Sequence, residues 1–217
     1  MALAIFDLDN TLIAGDSDHS WGVFLVEKQL VDAETYRLAN DKFYADYKNG
    51  TLDIRAYLQF SLAPLTQHSM ESLQKLHAEF MREHIEPLML SKAEALLQQH
   101  RDQGDHLLII TATNGFVTRP IAKRLGVDDI LATDPEVVDG AYTGNFVGTP
   151  CFQAGKITHL HEWLKHNHHS LDGAYFYSDS INDLPLLEQV DHPVVVDADE
   201  KLTAIANERN WKAISLR

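Results

Sequence analysis

Hydrophobic positions along this chain change rhythm twice. A short apolar run, Ala4-Ile5-Phe6, breaks into Asp7-Leu8-Asp9-Asn10-Thr11-Leu12, and an apolar run bounded by turn formers reads as a buried strand. From Gly15 to about His84 the spacing becomes three-to-four. Trp21, Phe24 and Leu25 mark one face, and Tyr36, Ala39, Phe43 and Tyr47 a second that ends near Gly50. Ile54, Tyr57, Leu58 and Leu65 mark a third, and Met70, Leu73, Leu76 and Phe80 a fourth. Amphipathic helices at this spacing predict a small helical bundle with the aromatic stripes as its core.

From Pro87 helices alternate with apolar strands. Ser91-x-x-Glu94 has the capping-box pattern and opens a helix that stops near Gly104. The strand His106–Thr111 follows, then a helix through Ile121 and Leu125 that ends at Gly126, then a shorter strand over Ile130–Thr133. Alternation from Glu136 to Gly148 around Asp139-Gly140 predicts a β-hairpin. A helix from about Gly155 carries Ile157, Leu160 and Leu164 on one face, and strands recur at Ala174–Tyr177, Val194–Val196 and Ala213–Leu216. The pattern predicts an α/β fold, a doubly wound parallel sheet, with the helical bundle inserted after the first strand. The core then comprises residues 1–14 and 85–217, and the insertion residues 15–84.

A length of 217 residues suits one large domain or one domain with an insertion, and 45% hydrophobic content gives it a sizeable core. Eighteen basic against 32 acidic side chains, a net charge of −14, argue against a general affinity for nucleic acid or anionic membrane. The lone Cys151 has no internal partner, and Asp7 and Asp9 interrupt the only apolar start. No run approaches membrane-spanning length. A reducing cytoplasm is the expected compartment. The hairpin offers a strand edge for self-association, but nothing fixes an oligomeric state.

Ligands of doubly wound sheets bind beyond the carboxyl ends of the strands. Polar residues at those ends form a short list. The first strand supplies Asp7 and Asp9, and the His106 strand supplies Thr111 with Thr113 and Asn114 just after it. The Ala174 strand runs into Ser178-Asp179-Ser180-Ile181-Asn182-Asp183, and Lys156 stands at a helix start, where the dipole favours an anion. Carboxylates in such positions suit Mg²⁺, which binds one or two of them and keeps waters for substrate phosphate. One aspartate can attack phosphorus, and a second, two residues on, can move protons. Thr111 and Lys156 can hold phosphoryl oxygens. Each residue also has an ordinary reading: a strand-end threonine, a surface lysine, or aspartates 179 and 183 capping the helix that runs toward Leu187.

In this order, Asp7-Leu8-Asp9-Asn10-Thr11, Thr111, Lys156 and Asp179-x-x-x-Asp183 resemble the haloacid dehalogenase superfamily. The insertion after the first motif resembles its phosphoserine-phosphatase-like subgroup with a C1-type helical cap, and Tyr142-Thr143-Gly144 and Asn182-Asp183-Leu184 add to the match. The resemblance implies an Mg²⁺-dependent phosphomonoesterase in which Asp7 is the nucleophile and Asp9 the general acid/base. The metal ligands would be the Asp7 carboxylate, the Asp9 carbonyl and Asp179, with Asp183 in or near the shell. Thr111 and Lys156 would hold the phosphoryl group, with Thr113, Asn114 and Asn182 around the substrate. The subgroup often has Gly-Asp-Gly where this chain has Ser178-Asp179-Ser180, which restricts that loop's backbone.

The substrate implied is a small amine-bearing phosphate ester. Asp16 stands where the subgroup's phosphoserine enzymes place an acid for the ammonium, and Arg55 is the nearest candidate for their cap arginine. Gly15-Asp16-Ser17-Asp18-His19 with Asn40-Asp41 and Tyr44 looks more like members associated with histidinol phosphate, which puts histidinol phosphate first and phosphoserine second. Cap opening is expected about hinges near Ala14-Gly15 and Glu86-Pro87.

Other functions are weighed against this one. A phosphotransferase of the same fold uses the same residues. A non-catalytic receiver-like phospho-acceptor shares the residue types but carries its acceptor on a later strand. The Gly148 to Lys156 interval is too long for a phosphate-binding P-loop, and Ile157 stands where Ser or Thr is needed. Twelve histidines invite a transition metal, but His166, His168 and His169 read better as a solvated helix end.

Overall fold

The computed structural model describes residues 2–217. Strand β1 (Leu3–Phe6) leads into helices α1 (Ser17–Glu27), α2 (Ala33–Asn49), α3 (Ile54–Leu62) and α4 (Met70–Phe80). Helix α5 (Ser91–Asp102), strand β2 (His106–Ile110), helix α6 (Gly115–Leu125) and strand β3 (Asp129–Leu131) follow. Strands β4 (Asp134–Val138) and β5 (Ala141–Val147) form the hairpin, turned by Asp139 and Gly140 at φ 50 and 77. Helix α7 (Ala154–Asn167), strand β6 (Tyr175–Ser178), helix α8 (Leu184–Leu187), strand β7 (His192–Val196), helix α9 (Glu200–Arg209) and strand β8 (Lys212–Ile214) complete the chain.

Six strands make one parallel sheet in the order β3-β2-β1-β6-β7-β8, the doubly wound sheet expected. Leu3 to Phe6 are no more than 1% exposed, because a central parallel strand is covered on both faces by helices. Truncating Ile5 to Ala is expected to destabilise the fold by about 2–5 kcal/mol. Strand order reverses between β1 and β6, and that is where a crevice opens at the carboxyl end of such a sheet.

Between β1 and α5 the chain is helical throughout most of its length. It leaves the sheet and returns to it side by side: Ala14 N–H donates to the Leu88 carbonyl at 2.8 Å, and Ile13 bridges Met89. Trp21, Phe24 and Phe80 interlock in the core of this segment, with ring centroids 5.1 to 5.6 Å apart. Helix α4 runs into a π-helical turn, Met81–Ile85.

Four local expectations need correction. The pattern Ser91-x-x-Glu94 opens α5 without forming a capping box, because Glu94 instead accepts from Arg124 at 3.0 Å. Leu65 is not on α3 but in a 3₁₀ turn over Ala63–Gln67, where Pro64 ends the α-helical bonding. Strand β3 stops at Leu131, since Thr133 leaves the ladder to accept the Cys151 N–H on its hydroxyl at 2.9 Å. Strand β8 ends at Ile214, after which Leu216 N–H turns to Asp197 at 3.0 Å. No helix among the described residues is long and apolar enough to cross a membrane.

Candidate active site

Asp7 follows β1 directly, and its N–H donates to the Tyr177 carbonyl of β6 at 2.9 Å, so its side chain sits at the strand-order reversal. Lys156, in the first turn of α7 and 2% exposed, reaches Asp7 Oδ1 at 2.8 Å and Asp183 Oδ1 at 2.7 Å. Burial alone would lower the lysine, but Asp183 and Asp7 outweigh it and hold the ammonium above its ordinary range. Asp183 also accepts from the Ser178 hydroxyl at 2.7 Å, so both of its oxygens are engaged.

Asp9 is held differently. One oxygen accepts the Ser17 N–H at 2.6 Å and the other the Thr113 hydroxyl at 2.8 Å. Burial, then the charge of Asp16, raise its carboxyl to about 7 against those hydrogen bonds. A carboxyl poised there can give and take a proton near neutrality. Thr111 is buried beside them, its hydroxyl oxygen accepting the Thr113 N–H at 3.2 Å, which leaves its own proton free to donate.

Asp179, on the loop after β6, is tied to Thr11 by a reciprocal pair of bonds. The two serines around it do not strain the loop. Ser180 sits at φ −110 and accepts the Asn182 N–H at 3.2 Å, while Ser178 accepts the Ser180 N–H at 3.2 Å. The hydroxyls hold by hydrogen bonding what glycine permits by freedom.

A small cavity of about 40 Å³ lies over these groups and is lined by Asp7, Asp9, Thr111 and Thr113 below. Asp16, Asp18, His19, Tyr44 and Tyr57 line it from the helical segment. His19 Nε2 meets Asp41 Oδ1 at 2.9 Å and packs on Tyr44. Asp16 lines the cavity but commits one oxygen to capping α1, accepting the His19 N–H at 2.8 Å.

Three expected residues lie elsewhere. Asn114 caps α6 by accepting from Phe116 and Val117, and does not line the cavity. Asn182 links the segments instead, donating to the Tyr47 carbonyl of α2 and accepting from Gln153, both at 3.1 Å. Arg55 lies over the Phe146 ring of the hairpin, 5.4 Å from its centroid, and does not line the cavity. Sequence reasoning gave no role to Thr11, Ser178 or Asp18. All three stand within quoted motifs, a local signal that was there to use, but Asp18 is set apart from its neighbours in that segment by its tertiary surroundings.

The charge balance suits a divalent cation. Asp7 and Asp183 share one ammonium, and Asp179, within reach of both of their charges, has none. Burial raises Asp7 to about 7 despite Lys156, and burial with the Asp7 and Asp183 charges raises Asp179 well above the carboxylate range. An oxygen-seeking cation would relieve both. Among the described residues no three His, Cys, Asp or Glu side chains enclose a metal by themselves. An ion that keeps waters and substrate oxygens in its shell needs no such cage.

The model of the haloacid dehalogenase-like hydrolases matches residues 4–188. A histidinol-phosphatase of Neisseria meningitidis serogroup C is 47% identical over 99% of both chains. The phosphoserine phosphatase SerB1 of Mycobacterium tuberculosis is 32% identical over 100% of this chain and 71% of its own. Among solved structures, a Bordetella pertussis protein of unknown function superposes with a TM-score of 0.94, at 41% identity over 100% of this chain and 99% of its own.

Proposed function

The chain belongs to the haloacid dehalogenase-like hydrolases, and on that premise we propose that it is a phosphomonoesterase acting on a small amine-bearing phosphate ester. Histidinol phosphate is the first candidate and phosphoserine the second. The observation that carries this reading is the meeting of Asp7, Lys156, Thr111 and Asp183, from four distant parts of the chain, at the reversal of strand order. The full-length similarity to a histidinol-phosphatase supports the order of substrates.

In this reading the free oxygen of Asp7 attacks phosphorus and forms an aspartyl phosphate as the alcohol leaves. Asp9, held by Ser17 and Thr113 and raised to about 7, protonates the departing oxygen and later takes a proton from the water that releases phosphate. Lys156 neutralises charge on the transferring group while Asp183, itself held by the Ser178 hydroxyl, keeps its ammonium in place. Thr111 donates to a phosphoryl oxygen. Mg²⁺ would be held by the Asp7 carboxylate, the Asp9 carbonyl and Asp179, with Asp183 beside the shell, and would supply Lewis-acid polarisation of the phosphoryl oxygens. Residues 15–84 act as a cap over a core of residues 1–14 and 85–217, in a cytoplasmic enzyme.

Phosphate release from histidinol phosphate, measured with Mg²⁺, with EDTA and for Asp7→Asn, tests the reading. Release should require the metal and vanish in the variant. Full activity in Asp7→Asn would overturn the mechanism, and equal turnover of many unrelated sugar phosphates would overturn the substrate class.

A further inference from the structure

Asp18 is a buried acid that the phosphoryl chemistry does not use. It lies in the first turn of α1, is 6% exposed, and lines the same cavity as Thr111 and Thr113. Among the described residues its Oδ1 has no hydrogen-bond partner. The Tyr57 hydroxyl is the group that stabilises its charged form, and the neighbouring Asp16 and Asp9 charges work against it. Burial drives its carboxyl well above the usual range for want of a cation.

Among the described residues no lysine or arginine lines the cavity to supply such a cation. Lys156 is already shared between Asp7 and Asp183, and His19 is bonded to Asp41. Asp16 has spent one oxygen on the helix cap. Asp18 Oδ1 is thus a fully buried acceptor in the cavity wall that the protein leaves unfilled, whereas the Tyr44 ring beside it is already covered by Lys48 and His19.

Resting on the phosphatase reading above, we propose that Asp18 determines specificity by receiving the cationic group of the substrate's alcohol, an ammonium or imidazolium. The absence of any arginine or lysine in the lining excludes a free carboxylate on that alcohol, because the carboxylate would be buried beside Asp16 and Asp18 with nothing to pair it. The substrate class that fits is the phosphate monoester of a cationic, carboxylate-free amino alcohol. Histidinol phosphate meets that description, and phosphoserine does not.

Two measurements test this, and they separate its failure from that of the phosphatase reading. Calorimetry with L-histidinol, which carries no phosphate, reads the cation site without turnover. Histidinol should bind the wild-type protein and bind Asp18→Asn at least about tenfold more weakly. An unchanged affinity overturns the inference, whatever the protein hydrolyses. Kinetics then compare L-histidinol phosphate, phosphoserine and p-nitrophenyl phosphate in wild type, Asp18→Asn and Asp18→Glu. The ratio of kcat/KM for histidinol phosphate to that for p-nitrophenyl phosphate should fall at least about thirtyfold in Asp18→Asn, chiefly through KM, with partial recovery in Asp18→Glu. Equal losses on both esters, or wild-type preference for phosphoserine, overturn the inference and leave the phosphatase reading standing. Failure of the wild type to release phosphate from any of the three esters overturns the phosphatase reading instead.

Discussion

Thr11 and Asp179 hold each other by two reciprocal bonds: the threonine hydroxyl donates to Asp179 Oδ1 and accepts the Asp179 N–H, each at 3.1 Å. The pair fixes the acidic loop after β6 against the turn after β1, and orients one oxygen of a carboxylate proposed to bind Mg²⁺. Thr11→Val keeps the shape and removes both bonds. The Mg²⁺ concentration for half-maximal activity should rise about 10–100-fold, the usual cost of losing a group that orients a metal ligand. Metal titrations at saturating substrate check this, and an unchanged requirement would remove Asp179 from the metal site.

Gly155 sets the position of Lys156 for a steric reason. A Cβ on Gly155 would collide with the Pro150 carbonyl oxygen, and the turn is tight, with Gly155 N–H donating to the Phe152 carbonyl at 2.8 Å. Gln153 already takes a positive φ of 48 there. Gly155→Ala must displace the first turn of α7, at about 1–3 kcal/mol of stability. It should lower kcat about 100-fold, since a shift near 1 Å in a charge-stabilising group is enough. Thermal melts paired with kcat test this. Wild-type kcat in a destabilised variant would show that the lysine's placement does not depend on the turn.

Much of this fold was legible because its signals are local. The three-to-four spacing of Trp21, Phe24 and Leu25 and the apolar runs of β1, β2 and β7 belong to residues that are close in sequence. Asp7, Lys156 and Asp183 could be named from order and type, and the structure brings them within 2.8 Å of one another's charged atoms through Lys156. What local pattern could not show is how a side chain's hydrogen bonds are shared out. Asn114 and Asp16 look equally available in sequence, yet each commits an oxygen to a helix cap, Asn114 Oδ1 to two N–H groups and Asp16 Oδ1 to one. Arg55, the nearest arginine candidate by position, lies over Phe146 of β5. Asp18 gained its meaning from what is absent around it, which only the assembled cavity defines.

Asp7 and Asp9 should fail differently. Asp9→Asn retains the proposed nucleophile and removes the proposed proton donor, so its loss should depend on how much the leaving oxygen needs a proton. Activity on an alkyl phosphate should fall about 10²–10⁴-fold, with a smaller loss in phosphoenzyme formation from p-nitrophenyl phosphate. Rapid quench should show a burst in Asp9→Asn and none in Asp7→Asn. Equal losses for both leaving groups would remove Asp9 from the role of acid.

His77 makes the contact between α4 and α6 sensitive to acid. It is 5% exposed, stacks on Trp21, meets Phe116 edge-on, and its Nε2 meets the Val117 carbonyl at 3.0 Å. Opposite a carbonyl that nitrogen must carry the proton and donate, so the neutral ring satisfies the bond. Burial lowers the His77 pKa below its ordinary 6.5, with the Val117 bond opposing. The unfolded chain therefore binds a proton at a higher pH than the folded protein does. Stability from this residue is complete above about 6.5 and is lost as pH falls from there toward the depressed folded value. His77→Gln keeps a donor for Val117 but does not titrate. Thermal melts between pH 7.5 and 5.5, an interval chosen to span about one unit either side of the free value, should give a shallower slope in the variant than in wild type. Parallel slopes would show that the ring is protonated in the fold or that the contact opens before it titrates.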